Sequence, residues 1–251
     1  MSFFDDIGAR IESVDSVVSV GLDPDLDRLP DFLDGELPRW EFNRRVIDAT
    51  HEHAACFKPN AAFYEDPDGW RALEETVAYA HGKNVPVLLD DDGLGADAMT
   101  VNPYMGRDTL EPYLSMPEKG VVVLCRTSNS GGADFQNLEV GNGKPLYEYV
   151  AQRAAEWNEH DNVGLVVGAT APEELAAVRD LVDLPFLVPG VGAQGGDAEA
   201  AVEYGLADGV GLVNSSRGVI FAGEGARDAD SYFRAAGDAA KRLKRRLDQH
   251  R

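Results

Sequence analysis

Eight short apolar, β-branched runs recur along 251 residues with helix-patterned stretches between them, and this alternation constrains the fold more than any other feature. They lie at 17–23 (VVSVGLD), 55–60 (ACFKPN), 85–90 (VPVLLD), 98–103 (AMTVNP), 120–128 (GVVVLCRTS), 163–169 (VGLVVGA), 185–191 (PFLVPGV) and 209–217 (GVGLVNSSR). Helical patterns fill 40–53, 68–82, 107–115, 145–158, 172–181, 197–205 and 228–248. Strand and helix in alternation are the signature of βα units around a parallel sheet. Eight such strands close a cylinder, and about 250 residues is the usual length of that fold. The expectation is therefore an α/β chain forming a single (β/α)8 barrel, one domain over residues 1–251.

One connection breaks the pattern. Between strands three and four only DDGLGAD, residues 91–97, separates VPVLLD from AMTVNP. A parallel crossover ordinarily takes a dozen or more residues, usually a helix. Two readings follow: a barrel lacking its third covering helix, or a crossover absent from the chain as written. An uncovered flank would expose apolar strand surface, which favours the second.

Composition narrows the function. Forty-four Asp and Glu against 23 Lys and Arg leave a net charge of -21, which disfavours nucleic acid as a partner. The basic cluster at 241–246 reads as a solvated last helical turn. An acidic, lysine-poor surface resembles proteins of salt-loving archaea. Two cysteines, Cys56 and Cys125, both within apolar runs, argue against a disulfide framework and for the cytoplasm. No apolar stretch reaches the roughly 18 residues of a membrane span, and the N-terminus is too acidic for a signal peptide. The five histidines fall on helices or at ends away from the strand mouths, so neither a His-based metal site nor a Ser-His-Asp triad is expected.

In such a barrel the C-terminal strand ends share one mouth, where the chemistry takes place. Here they carry Asp23, Lys58, Asn60, Asp90, Asn102, Arg126, Ser128, Asn129, Gln194, Asn214 and Arg217. The sharpest signal is PGVGAQGGD at 189–197, where Gly190 and Gly192 let backbone N–H groups approach an anion. The next strand ends in NSSRG at 214–218. Together the two loops offer backbone donors, the Gln194 amide and the Arg217 guanidinium, a set that suits a phosphate dianion. Lys58 stands alone as a strand-end lysine, and a buried lysine is costly unless it has acidic partners or a function. Asp23 is the acid on the neighbouring strand. Asp90 ends strand three, with its register open. Ser128 and Asn129 begin a Ser/Asn/Gly-rich loop able to bond the edge of a planar ligand.

The set GLDPD, FKPN with AAFYE, VNPYMGRD, TSNSGG, PGVGAQGGD and NSSRG, at successive strand ends, resembles orotidine 5′-phosphate decarboxylase in its longer-chain form. The resemblance implies cofactor-free decarboxylation of orotidine monophosphate to UMP in a homodimer that shares its active sites. It also implies Asp23 and Lys58 at the ribose and its charged surroundings, Ser128 at the pyrimidine edge, Pro189 against the base, and Gln194 and Arg217 at the phosphate. One departure is large. The family's Asp-x-Lys-x-x-Asp run after strand three, source of the lysine that protonates C6 and of the aspartate donated across the dimer, has no counterpart here. Competing readings are a non-catalytic phosphate-binding barrel and a sugar-phosphate aldolase or synthase; the second would need a carboxylate-rich metal site that the mouth does not offer.

Overall fold

A computed structural model describes residues 2–89, 94–141, 143–192, 195–206 and 209–251. Eight parallel strands form one sheet: β1 Val18–Leu22, β2 Cys56–Pro59, β3 Leu88–Leu89, β4 Ala98–Val101, β5 Gly120–Arg126, β6 Val163–Val167, β7 Phe186–Pro189 and β8 Leu212–Ser215. Their order around the sheet is β2-β1-β8-β7-β6-β5-β4-β3. A bridge between Phe57 and Val87 joins the two ends, with the Phe57 amide donating to the Pro86 carbonyl at 3.0 Å. The fold is thus a (β/α)8 barrel. Every strand residue of β1 and β6 is buried, as expected of parallel strands covered on both faces.

The outer helices are α2 Pro38–Thr50, α3 Pro67–Gly82, α4 Arg107–Leu114, α5 Leu146–Trp157, α6 Pro172–Leu181, α7 Ala198–Glu203 and α8 Ala229–Leu247, each within a few residues of its sequence pattern. An additional helix, α1 Phe3–Val14, was not among the expected elements. Its signals are present in the sequence: Ser2 and Asp5 form a reciprocal capping box, and Phe3, Ile7 and Ile11 recur at helical spacing and are buried. Residues without side chains admit it, because a Cβ at Gly120 would meet the Phe3 ring and one at Gly164 would meet Phe4. No helix among the described residues is long and apolar enough to cross a membrane.

The short third connection has a geometric answer. β3 is only two residues long, and Leu88 lies opposite Ala98 in the ladder, so the chain leaves the strand one step above the point where it re-enters. The drop along the barrel axis that normally demands a helix is almost absent. No helix occupies 94–97, yet Leu88 and Leu89 are buried at 1% and 0% exposure. Leu94, Ala96 and Met99 are half-buried and pack against the core there.

This seam is fastened at its base by Asp97. Its Oδ2 accepts from His81 Nε2 and from the Val87 amide, both at 2.8 Å, so one carboxylate links α3, β3 and the start of β4. The bond to Asp97 raises His81 above its ordinary 6.5, against partial burial and the charge of Lys119. Burial pushes Asp97 up, but His81, the Val87 amide and Lys119 together hold it below 3.8. A raised histidine stabilises fully below its unfolded value and loses that contribution as pH climbs through the folded one. A depressed aspartate stabilises above its unfolded value and loses the effect as pH falls through the folded one. The pair should therefore support the fold most between about pH 4 and 6.5. His81→Gln is expected to lower Tm within that window and much less above pH 8; a Tm difference independent of pH would contradict the pairing.

Candidate functional site

The barrel's pleat decides which strand residues face inward. Ser19 Oγ donates to Asn214 Oδ1 at 3.0 Å across β1 and β8, which marks that face as interior. Two residues on, Gly21 stands opposite Lys58 on the same face, toward the mouth. Gly21 has to be a glycine for packing reasons, since a Cβ there would sit 2.6 Å from Ser216 Cβ. The strand end above it is braced by Tyr64, whose hydroxyl donates to the Leu22 carbonyl at 2.7 Å and accepts from Asn43 Nδ2 at 2.7 Å. Burial pushes the Tyr64 phenol well above its ordinary range, and the negative charge of Asp23 adds to the effect. Tyr64 is accordingly a neutral hydrogen-bonding brace beside Asp23.

A cleft of about 160 Å³ opens at the mouth. From β1 it takes Asp23; from the loop after β5, Ser128; from the end of β7, Pro189, Gly190 and Val191; and from β8 and the turn beyond it, Asn214 through Gly218 with Arg217 among them. Asp23, Ser128, Pro189, Gly190 and Arg217 are thus brought together on one cleft, and Lys58 is not among the lining residues. Asn129 and Gly192 lie outside the lining: Asn129 is exposed and precedes the turn Ser130–Gly132, and Gly192, at φ 99°, shapes the β7 loop. Asp90 and Gln194 fall outside the described residues.

The phosphate-loop expectation needs one refinement. Gly195 and Gly196 donate back to the carbonyls of Gly192 and Gly190, at 2.9 and 3.0 Å, so those amides close the turn. Asp197 caps α7 by accepting from the Glu199 and Ala200 amides. The part of the described loop that lines the cleft is Gly190 and Val191, together with Ser216, Arg217 and Gly218 from beyond β8. Ser216 Oγ is buried beside Gly21 and has no hydrogen-bond partner among the described residues. Sequence reasoning did not single it out.

Three other strand-end residues serve structure. Asn60 and Asn102 accept from the amides of Ala62 and Tyr104 and cap short turns. Arg126, expected in the mouth, is 9% exposed and pairs with Glu174 beneath the β5 loop. Neither cysteine is poised as a nucleophile: burial pushes Cys56 up to about 12, and Cys125 is raised for the same reason. No group of three His, Cys, Asp or Glu side chains suited to a metal occurs among the described residues.

Fold and cleft together define a (β/α)8 barrel with a cleft at its last two strand ends, and with an acid and a lysine on the first two. A family model described as orotidine 5′-phosphate decarboxylase / HUMPS matches residues 92–232. The orotidine 5′-phosphate decarboxylase of Natronomonas pharaonis is 77% identical, with all of both chains covered. Leishmania donovani OMP decarboxylase is 40% identical at TM-score 0.80, covering 100% of this chain and 99% of that one. Leishmania donovani UMP synthase is 42% identical at TM-score 0.84, and this chain spans 56% of its length. The chain belongs to the orotidine 5′-phosphate decarboxylase / HUMPS family. The Natronomonas alignment runs over 269 positions against 251 residues here, so that relative carries residues without counterpart in this chain. The place where the βα order lacks an element is the turn between β3 and β4.

Proposed function

We propose that this chain decarboxylates orotidine 5′-phosphate to UMP without a cofactor, acting as one 251-residue barrel unit. The observation that carries the proposal is the convergence of Asp23, Ser128, Pro189, Gly190 and Arg217 on one cleft from four separate segments of chain. Relatives bearing that activity in their names, at up to 77% identity over the full chain, support it. The single core cluster, running from Phe3 to Leu247, supports the single unit.

In this reading the phosphate meets Arg217, Gly218 and the Gly190–Val191 backbone, the base lies against Pro189 with its edge at Ser128, and Asp23 faces the ribose and the carboxylate to be lost. Lys58, one strand over and in register with Gly21, supplies positive charge beside the carbon that becomes a carbanion. Asp90, which stands at the end of strand three in the sequence, is assigned to the same charged cluster. Gln194 and Gly192 complete the phosphate loop, and Asn129 the entrance. Phosphate contacts remote from the reacting carbon convert binding energy into orientation. Arg217→Ala should lower kcat/KM for the nucleotide by roughly a hundredfold, ~2.7 kcal/mol, and for the phosphate-free nucleoside by no more than about threefold. Equal losses on both substrates would remove Arg217 from the phosphate.

The missing Asp-x-Lys-x-x-Asp run bears on turnover more than on binding, because the cleft that holds the nucleotide is built from the opposite strands. Grafting the relatives' residues between Leu89 and Leu94 should raise kcat by about a hundredfold or more while leaving UMP affinity within threefold. The assay is loss of the orotidine monophosphate absorbance. A chain that binds UMP yet shows no turnover with or without the graft would sink the decarboxylase reading in favour of a binding barrel.

We also propose a homodimer. Tyr104 and Met105 after β4 are 64% and 69% exposed, and Phe135 and Leu138 after the adjacent β5 are 64% and 54% exposed. Such side chains on neighbouring mouth loops suit a two-fold apolar contact. Sedimentation should give twice the 27.1 kDa chain mass at micromolar concentration, whereas a persistent monomer would reject the dimer. Two buried free thiols are consistent with a cytoplasmic setting.

A further inference from the structure

The loop that delivers Ser128 to the cleft is held by a network that the reaction itself does not use. Arg126, the last residue of β5, donates from Nε to Glu174 Oε2 at 2.5 Å and from Nη1 to the Thr127 carbonyl at 2.7 Å. Glu174 lies in the first turn of α6, and its other oxygen accepts from Asn137 Nδ2 at 3.1 Å. Gln136 closes the loop on itself: its Oε1 accepts from the Thr127 amide at 2.9 Å, and its Nε2 donates to Thr127 Oγ1 at 3.0 Å. Both ends of segment 127–137 are therefore tied to one largely shielded ion pair whose side chains are 11% and 17% exposed.

Two glycines fit the clasp. A Cβ at Gly132 would come within 2.7 Å of Gln136 Oε1 and of Thr127 Oγ1, so the loop can fold over this network only without a side chain there. A Cβ at Gly168 would lie 2.7 Å from Ser128 Cα, so the end of β6 lets Ser128 sink into the mouth. Thr170 Oγ1 then holds the Ser128 carbonyl at 3.0 Å. What remains for a ligand is the side chain of Ser128, which lines the same cleft as Arg217.

We propose that the Arg126–Glu174 pair, with Gln136 and Asn137, is a positioning device for base recognition, fixing Ser128 against the planar edge of the nucleotide while leaving the phosphate grip untouched. The proposal rests on the reading of the cleft as a nucleotide site. The physical reason is separation of origin: the clasp sits on β5 and α6, whereas the anion-facing groups sit on β7 and β8, fixed by their own turn bonds. An ion pair this shielded also favours one geometry, since removing either partner would leave a poorly solvated charge.

The test is binding of two probes, UMP and ribose 5-phosphate, to the full chain by calorimetry. Glu174→Ala and Gln136→Ala should each weaken UMP by roughly tenfold and leave ribose 5-phosphate within twofold. Glu174→Gln, which keeps the acceptor oxygen, should recover part of the loss. Amide exchange at Thr127 should quicken in the alanine variants. Should Glu174→Ala fail to fold, Gln136→Ala and Asn137→Ala carry the same comparison from exposed or half-buried positions. Unchanged UMP affinity in variants whose Thr127 amide has lost protection overturns the proposal. Equal weakening of both probes overturns it too, as a general loss of structure. A wild-type chain that binds ribose 5-phosphate but not UMP overturns it together with the nucleotide reading, a result distinct from the other two.

Discussion

Closure at the seam between β2, β3 and β4 is the constraint on which the rest of the barrel depends, because a parallel sheet left open would present two unpaired edges and an exposed core. Here that seam rests on a strand of two residues and a bridge at Val87. The Asp97 carboxylate reinforces it by taking the Val87 amide and the His81 ring at once. Shortening the strand is what makes the short connection possible, since the ladder offset between Leu88 and Ala98 leaves almost no axial distance to cover. The local stability device thus sits at the base of the barrel, the end opposite the mouth.

With the base fixed by α1 and by Asp97, the mouth is free to carry irregular backbone. Gly190 and Gly192 adopt φ of 105° and 99°, a region that side-chain-bearing residues rarely occupy, and the bond from Gly196 to Gly190 locks that turn. The adjoining Gly21 and Gly168 solve a different problem, close approach of backbone to Ser216 and Ser128. Backbone shape and side-chain placement at the cleft therefore have separate causes, and a substitution at either kind of glycine would disturb the site by a different route.

Much of this was legible beforehand. The strand count, the helices and the pairing of the last two strand ends follow from periodicity and glycine spacing, because a parallel strand and its mouth residue are adjacent in sequence. The parts that escaped depend on contacts distant in sequence. Arg126 reads as a mouth residue until Glu174, 48 positions away, is seen to draw it under the loop. Asn60 and Asn102 look like ligand groups but cap their own turns, a competition open to any asparagine after a strand. Ser216 gave no signal because an unbonded hydroxyl is defined only by what surrounds it. The α1 helix has a local signature in its capping box and its Phe3, Ile7, Ile11 spacing, but it precedes the first strand, where the βα alternation calls for no helix.

A chain of net charge -21 that receives an anion must separate near from far electrostatics. At molar salt the screening length is about 3 Å, so the acidic surface contributes little beyond contact distance. Hydrogen bonds of the kind that backbone amides and the Arg217 guanidinium of the cleft can offer act at that distance and survive screening. A site relying on a diffuse field of lysines would not, and lysine is scarce here, with six in the whole chain. Short-range donors are thus the design that an acidic surface in strong salt permits. At low ionic strength, where the length grows to about 30 Å at 0.01 M, the same surface would repel the nucleotide before it reached those donors.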